Sequence, residues 1–218
     1  MQHPDRQALE KGACHAVAHA FSLMEDASLL FARGRFSTSF QLTVLAREEH
    51  GRTNLLWKES RCMLEGQTID AAALRKRLSN HVSKLNAGQS TTQVQLPPAF
   101  MVAWTSAIEK NDTEALRELH KQRQAIVEAV RAKDPPLLHQ RRQRAQYVDL
   151  NPGGTWSLPS ETLRSDAQSL GLIVASELSG FLQMAPDDQF AVAFALSGES
   201  LPSDTEYDER VILPLLTE

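Results

Sequence analysis

Charge placed inside an apolar helical face constrains this chain more than any other feature of it. From Leu42 to Leu56 the residues read LTVLAREEHGRTNLL. At about 100° per residue, Leu42, Val44, Leu45, Leu55 and Leu56 mark one apolar arc, and Glu48, Glu49 and Arg52 fall within it. Carboxylates on a core-facing stripe are costly unless paired. Glu48 to Arg52 is an i,i+4 pair and Glu49 to Arg52 an i,i+3 pair, but pairs of this kind contribute only about 0.3–0.5 kcal/mol on an exposed helix. One arginine also cannot neutralise two acids, so a second cation has to arrive from elsewhere in the fold. A structural ion-pair knot and a support for a functional site both satisfy that requirement.

The 218 residues suffice for one large domain with a real core, and 42% hydrophobic with 23% charged residues suits a globular chain. No apolar run approaches the length of a membrane span, and the opening MQHPDRQALE lacks the apolar stretch of a signal peptide, which predicts a cytoplasmic protein with no membrane association. Cys14 and Cys62 lack CxxC spacing and read as buried thiols rather than a disulfide or zinc framework. The net charge of −4 conceals an asymmetry: residues 160–218 hold eleven acids against Arg164 and Arg210, a balance of −9, so the first 159 residues stand at +5. Arg75, Arg77 and Lys84 lie in one basic run, and HQRRQR at 139–144 is a second. Such runs suit a polyanion, and they also suit a solvated helix face.

Helical periodicity dominates the pattern. A first helix is expected from about Asp5 to the Gly34 stop, and a second from about Phe36 to Leu64, antiparallel to it across the Arg33–Arg35 turn. A third, capped by Thr68 or Asp70, is expected to run unbroken through DAAALRKRLSNHVSKLNAG, with Leu74, Leu78, His81 and Leu85 on one stripe. The polar stretch from Asn86 to Pro98 is the best internal break. A short helix around Trp104 follows, then one from Asp112 or Thr113 to Lys133, which Pro135 and Pro136 should stop. After a brief basic helix, residues 147–158 read as a small extended or hairpin piece. A last strong helix should run from Ser165 or Asp166 to Met184, and the acidic remainder is expected to be partly helical at best. The fold class is therefore all-α, an antiparallel helical bundle with additional C-terminal helices. Residues 1–88 hold the core helices of the candidate site, 89–184 the rest of the bundle, and 185–218 an acidic tail.

Candidate chemistry gathers on the third helix. His81 sits between leucines, and in an unbroken helix Arg77 would lie about 40° from it and Arg75 about 120°. A lone histidine on an apolar face also fits a hydrogen-bonded core role. His15, His19, Asp26, Glu48, Glu49 and His81 are the raw material of a metal-binding carboxylate bundle, but the doubled Glu-x-x-His signature of such sites is absent, so no metal or other cofactor is expected. No phosphate loop and no serine elbow is present.

Four separated segments, in order, carry a resemblance. Leu23-Met24-Glu25-Asp26-Ala27-Ser28-Leu29-Leu30 with Gly34-Arg35-Phe36, then Leu45-Ala46-Arg47-Glu48-Glu49-His50-Gly51-Arg52, then His81-Val82-Ser83-Lys84-Leu85, and finally Tyr147-Val148-Asp149 with Trp156 and Pro159, together resemble the AbiV family of bacterial abortive-infection proteins. Arg52 stands where that family usually has lysine. The resemblance implies a HEPN-like bundle, usually a homodimer, and a toxin that shuts down the phage-infected cell, with a phage-encoded activator or the translation machinery as possible partners. Many HEPN proteins are metal-independent RNases that use an arginine followed, after four to six intervening residues, by a histidine. Arg75 to His81, with five between, fits that spacing, whereas Arg77 to His81 does not. On this reading His81 with Arg75 or Arg77 is catalytic on RNA, Lys84 contacts phosphate, and Glu48, Glu49 and Arg52 hold the site in place. A binding module that blocks translation or captures a phage protein without cutting RNA is the alternative.

Overall fold

The computed structural model describes residues 5–88, 98–110, 112–147, 149–150, 155–183 and 188–216. Helix α1 (Arg6–Ala32) begins where the Asp5 carboxylate accepts the Ala8 amide at 2.7 Å, and its exit is turned by Gly34 at φ 72°, a left-handed conformation that glycine adopts without a Cβ penalty. Helix α2 (Phe36–Leu64) returns along it and is the axis of the fold. Packed between α1, α4, α6 and α7, α2 buries polar as well as apolar residues: Thr43, Arg47, Glu48, His50, Thr53 and Ser60 are all buried. The apolar-arc reading of α2 is adjusted accordingly, since Leu42 and Leu45 are only half-buried while Arg47 and His50 lie inside.

The expected third helix is two helices. Asp70 caps α3 (Ala71–Ser79), accepting the amides of Ala72 and Ala73 at 2.9 and 3.0 Å, and α3 ends at Asn80, which leaves the helical region at ψ 117°. Asn80 then starts α4 (His81–Gly88): its side chain accepts the Ser83 amide at 2.9 Å and its carbonyl the Lys84 amide at 3.1 Å. An asparagine that caps forward competes with helix continuation, so the break has a local cause. Of the break expected at Asn86 to Pro98, residues 89–97 lie outside the described residues.

Helix α5 (Pro98–Glu109) leads to α6 (Thr113–Gln146), capped by Asp112 and continuing through Pro135 and Pro136. The expected stop is thus corrected. Interior prolines remove amide donors and cost about 3 kcal/mol, but the last turns of α6 are anchored: Ala145 is in the core, Leu138 packs on it, and the Ser37 hydroxyl (2.6 Å) and Gln41 amide both donate to the Ala145 carbonyl. The extended piece is a two-residue antiparallel ladder, Asp149–Leu150 on Trp156–Ser157, and residues 151–154 between them lie outside the described residues.

After a short 3-10 turn (Pro159–Glu161) comes α7 (Arg164–Gln183), then α8 (Asp188–Ser197), and finally α9 (Asp204–Tyr207), which passes through a π turn (Asp208–Ile212) into α10 (Leu213–Leu216). The acidic remainder is therefore mostly helical, contrary to expectation, and it contributes to the core. Tyr207, Val211 and Leu215, spaced four apart on one face, are fully buried against the cluster of Val17, Phe21, Met24, Phe40, Val44, Leu85 and Leu178. The Phe21 ring meets Tyr207 edge-on at 5.2 Å, and the Tyr207 hydroxyl donates to the Ala175 carbonyl at 3.1 Å. Acidic composition conceals this because the charges lie on the outward face of the same short helices. The fold is all-α, as the periodicity predicts. Among the described residues, no helix is long and apolar enough to cross a membrane.

Candidate functional site

Backbone contact between α2 and α4 builds the site. A Cβ on Gly51 would lie 1.8 Å from the Lys84 carbonyl oxygen, and one on Gly88 would lie 2.4 Å from that of Arg47. With hydrogen alone at both positions the two helices touch, and side chains one turn from the crossing reach across it. Glu48, 1% exposed, is the hub. Its Oε2 receives His81 Nδ1 at 2.7 Å and Lys84 Nζ at 3.1 Å, and its Oε1 faces Arg142 Nη1 of α6 at 3.3 Å. The contact with Arg142 is a charge pair rather than a hydrogen bond, since Glu48 Oε1, like Arg142 Nε, has no hydrogen-bond partner.

Also from α6, His139 stacks on His81, with ring centroids 5.1 Å apart and planes inclined by 18°. Its Nδ1 is buried without a hydrogen-bond partner. Burial, reinforced by Arg142 and His81, holds the His139 imidazole below the ordinary histidine range, and Glu48 opposes this only in part.

The second cation required by the buried carboxylate thus comes from α4 and α6. Glu48 and Glu49 part company: Glu49 pairs with Arg52 at 3.2 Å on a half-exposed edge of α2, and Arg52 does not hold both glutamates. Arg77 pairs with Glu59 of α2, and the break at Asn80 puts it on a different helix from His81. Arg75 is exposed on α3. Lys84 is buried, its ammonium turned onto Glu48 rather than outward. Sequence reasoning missed His139 and Arg142 at this centre; the basic run at 139–144 contained them but gave no register toward Glu48.

The buried Arg47–Glu177 pair and the buried His50 are separate from this centre. Arg47 pairs with Glu177 of α7 at 2.5 Å, and His50, with its ring edge-on to Phe181, is pushed down to about 4 by burial and by Arg47, so it is a neutral core residue. The stripe of His15, His19, Ser22 and Asp26 is an exposed helix edge, with His15 paired to Glu199. Cys14 is a buried thiol, pushed up to about 11 by burial and thus unreactive, whereas Cys62 is only half-buried.

Glu48, His81 and His139 bring their ligating atoms within 4.8 Å of one another, a donor set suited to a divalent transition metal. Both Glu48 oxygens, however, already face cationic nitrogens, and a dication placed there would meet Lys84 and Arg142 at close range. The charge arrangement therefore suits proton exchange and an anion better than a metal.

The family model for AbiV, of the HEPN group, matches residues 8–179, well over half of the chain. The chain belongs to the AbiV family. No curated protein and no solved structure gives a significant match. The AbiV match takes in α2, α4 and α6, and with them every residue of the Glu48 centre, while α8 to α10 lie beyond it. In this AbiV chain the Glu48–Glu49–His50–Gly51 segment acquires a physical reading: the first glutamate is the hub, and the glycine admits the helix that brings His81 and Lys84 to it.

Proposed function

We propose that this AbiV-family protein is an abortive-infection effector that stops the infected cell by metal-independent cleavage of single-stranded RNA. The observation that carries this reading is the fixing of His81 on a buried carboxylate, through Nδ1, beside the buried Lys84 and the half-buried Arg142. With Nδ1 occupied, Nε2 is the atom that exchanges a proton with the 2′-hydroxyl or with the leaving 5′-oxygen. Arg142 offsets charge that develops on the phosphorane, and Lys84 adds positive potential from behind Glu48. Arg75 keeps the spacing that the family resemblance implies and is the further candidate for phosphate contact. A homodimer that joins two such centres across a twofold axis would form a longer basic cleft for RNA.

The purified protein, incubated with total bacterial RNA in EDTA, should degrade it, and His81→Ala should slow cleavage by about 10²–10⁴-fold, the usual contribution of a general acid or base. Intact RNA with both proteins would rule out the enzyme. The competing reading, a module that blocks translation or holds a phage protein without cutting, draws on exposed apolar residues outside the centre, Val192 and Leu196 of α8. It requires His81→Ala to arrest growth as strongly as the unmodified chain does when expressed in bacteria.

A further inference from the structure

We propose that His139 is the second proton-transfer residue of this centre, the general base that accepts the 2′-hydroxyl proton while His81 serves as the general acid, so that one protomer holds both. This inference rests on the RNA-cleavage reading above and adds to it a residue from α6, which lies far in sequence from the arginine–histidine segment.

Three observations carry it. The His81 and His139 rings lie nearly parallel with centroids 5.1 Å apart, close enough for both imidazoles to reach one ribose–phosphate linkage. The two imidazoles stand in unlike surroundings. His81 Nδ1 is tied to Glu48, whereas His139 Nδ1 is buried and has no hydrogen-bond partner. Unpartnered polar atoms are rare inside proteins, and here three of them, on Glu48, His139 and Arg142, fall within one cluster. The charged and titratable groups that face His139 are Arg142 on its own helix, His81 on α4 and Glu48 on α2, and Lys84 of α4 pairs with that same Glu48. Burial first, then Arg142 and His81, lower the proton affinity of His139 against the opposing Glu48, which favours the neutral ring that can accept a proton.

In the reaction His139 takes the 2′-hydroxyl proton as the 2′-oxygen forms its bond to phosphorus. The bond from phosphorus to the 5′-oxygen then breaks with its electron pair, and His81 Nε2 delivers a proton to that oxygen. The products are a 2′,3′-cyclic phosphate and a 5′-hydroxyl. One proton is gained by His139 and one lost by His81, and exchange with water restores both, so no oxidant, metal or co-reactant enters.

The test compares the unmodified chain with His81→Ala, His139→Ala and His139→Gln on a short fluorescent single-stranded RNA in EDTA across pH. A second RNA carries a 5′-bridging sulfur at one linkage, a leaving group that needs no acid. Glutamine keeps much of the volume of the ring, and matched melting temperatures separate loss of proton transfer from loss of fold. Both His139 variants should lose about 100-fold or more on the oxygen substrate, lose the acid limb of the pH profile, and show no recovery on the sulfur substrate, whereas His81→Ala should recover there. His139 variants within about threefold of the unmodified chain, while His81→Ala is inactive, would overturn the inference and leave the RNase reading standing. Recovery of the His139 variants on the sulfur substrate would overturn the assignment of base and acid. If the unmodified chain leaves both RNAs intact, the RNase reading itself fails and takes this inference with it.

Discussion

Gly51→Ala should damage stability and site together. The added methyl would stand 1.8 Å from the Lys84 carbonyl oxygen and 2.7 Å from the Gly88 amide nitrogen, both backbone atoms that cannot rotate away. Against an ordinary contact of 3.4 Å the shortfall is about 1.6 Å, so α4 must retreat from α2 by roughly that distance. Overpacking of this kind costs about 3 kcal/mol or more, and the better helix propensity of alanine returns about 1, for a net loss of at least about 2 kcal/mol. In a chain of this size that lowers the melting temperature by about 4–8 °C. The retreat also carries His81 and Lys84, now 2.7 and 3.1 Å from Glu48, beyond hydrogen-bonding range. Thermal melting reports the first effect and the His81 ring proton resonances report the second. Gly12→Ala is the control, because its methyl meets only the Leu56 side-chain tip at 3.3 Å, and it should be close to neutral. A Gly51→Ala protein that melts within about 2 °C of the unmodified chain, with unchanged His81 resonances, would refute the backbone-contact argument.

Acid should weaken the fold through His50. Its folded value of about 4 lies below the ordinary 6.5, so the stability it sustains is complete above pH 6.5 and is lost as pH falls toward 4, a total of about 3 kcal/mol. Urea unfolding of His50→Leu should therefore depend less on pH across that window, and equal slopes would remove the assignment. Tyr207→Ala should cost about 3–5 kcal/mol by emptying a buried aromatic site, and urea unfolding that shows under about 1 kcal/mol would mean that the C-terminal helices are not part of the core. Adding Zn²⁺ should move the melting temperature by less than about 2 °C, because Lys84 and Arg142 already occupy the field around Glu48. A saturable rise that His139→Ala abolishes would instead establish the Glu48, His81 and His139 trio as a metal site.

The sequence carries some of these features and conceals others, for identifiable reasons. Asp5, Gly34, Asp70 and Asp112 mark helix ends by local chemistry, and all four act where they stand. The demand of Glu48 for outside cations is also legible, because a buried carboxylate needs them whatever the fold. Which cations answer is a matter of tertiary packing: Arg142 lies far along the chain, and no periodicity links it to α2. Pro135 and Pro136 read as a stop because their local cost is known and the anchoring of Ala145 by Ser37 and Gln41 is not. Net charge hid the Tyr207, Val211 and Leu215 stripe in the same way, since composition averages over faces that the fold separates.

Asn80 bears on how motifs of this kind should be compared. Because it closes α3 and opens α4, the residues between Arg75 and His81 are counted across a joint and not along a rod. Rotational phase on one side of a joint does not propagate to the other. One residue inserted between Ser79 and Asn80 should swing Arg75 and Arg77 to new bearings while Asn80 still caps Ser83 and His81 still meets Glu48. In this chain the arginine-to-histidine spacing is then set by the length of the connection, and the placing of His81 by its position next to the Asn80 cap.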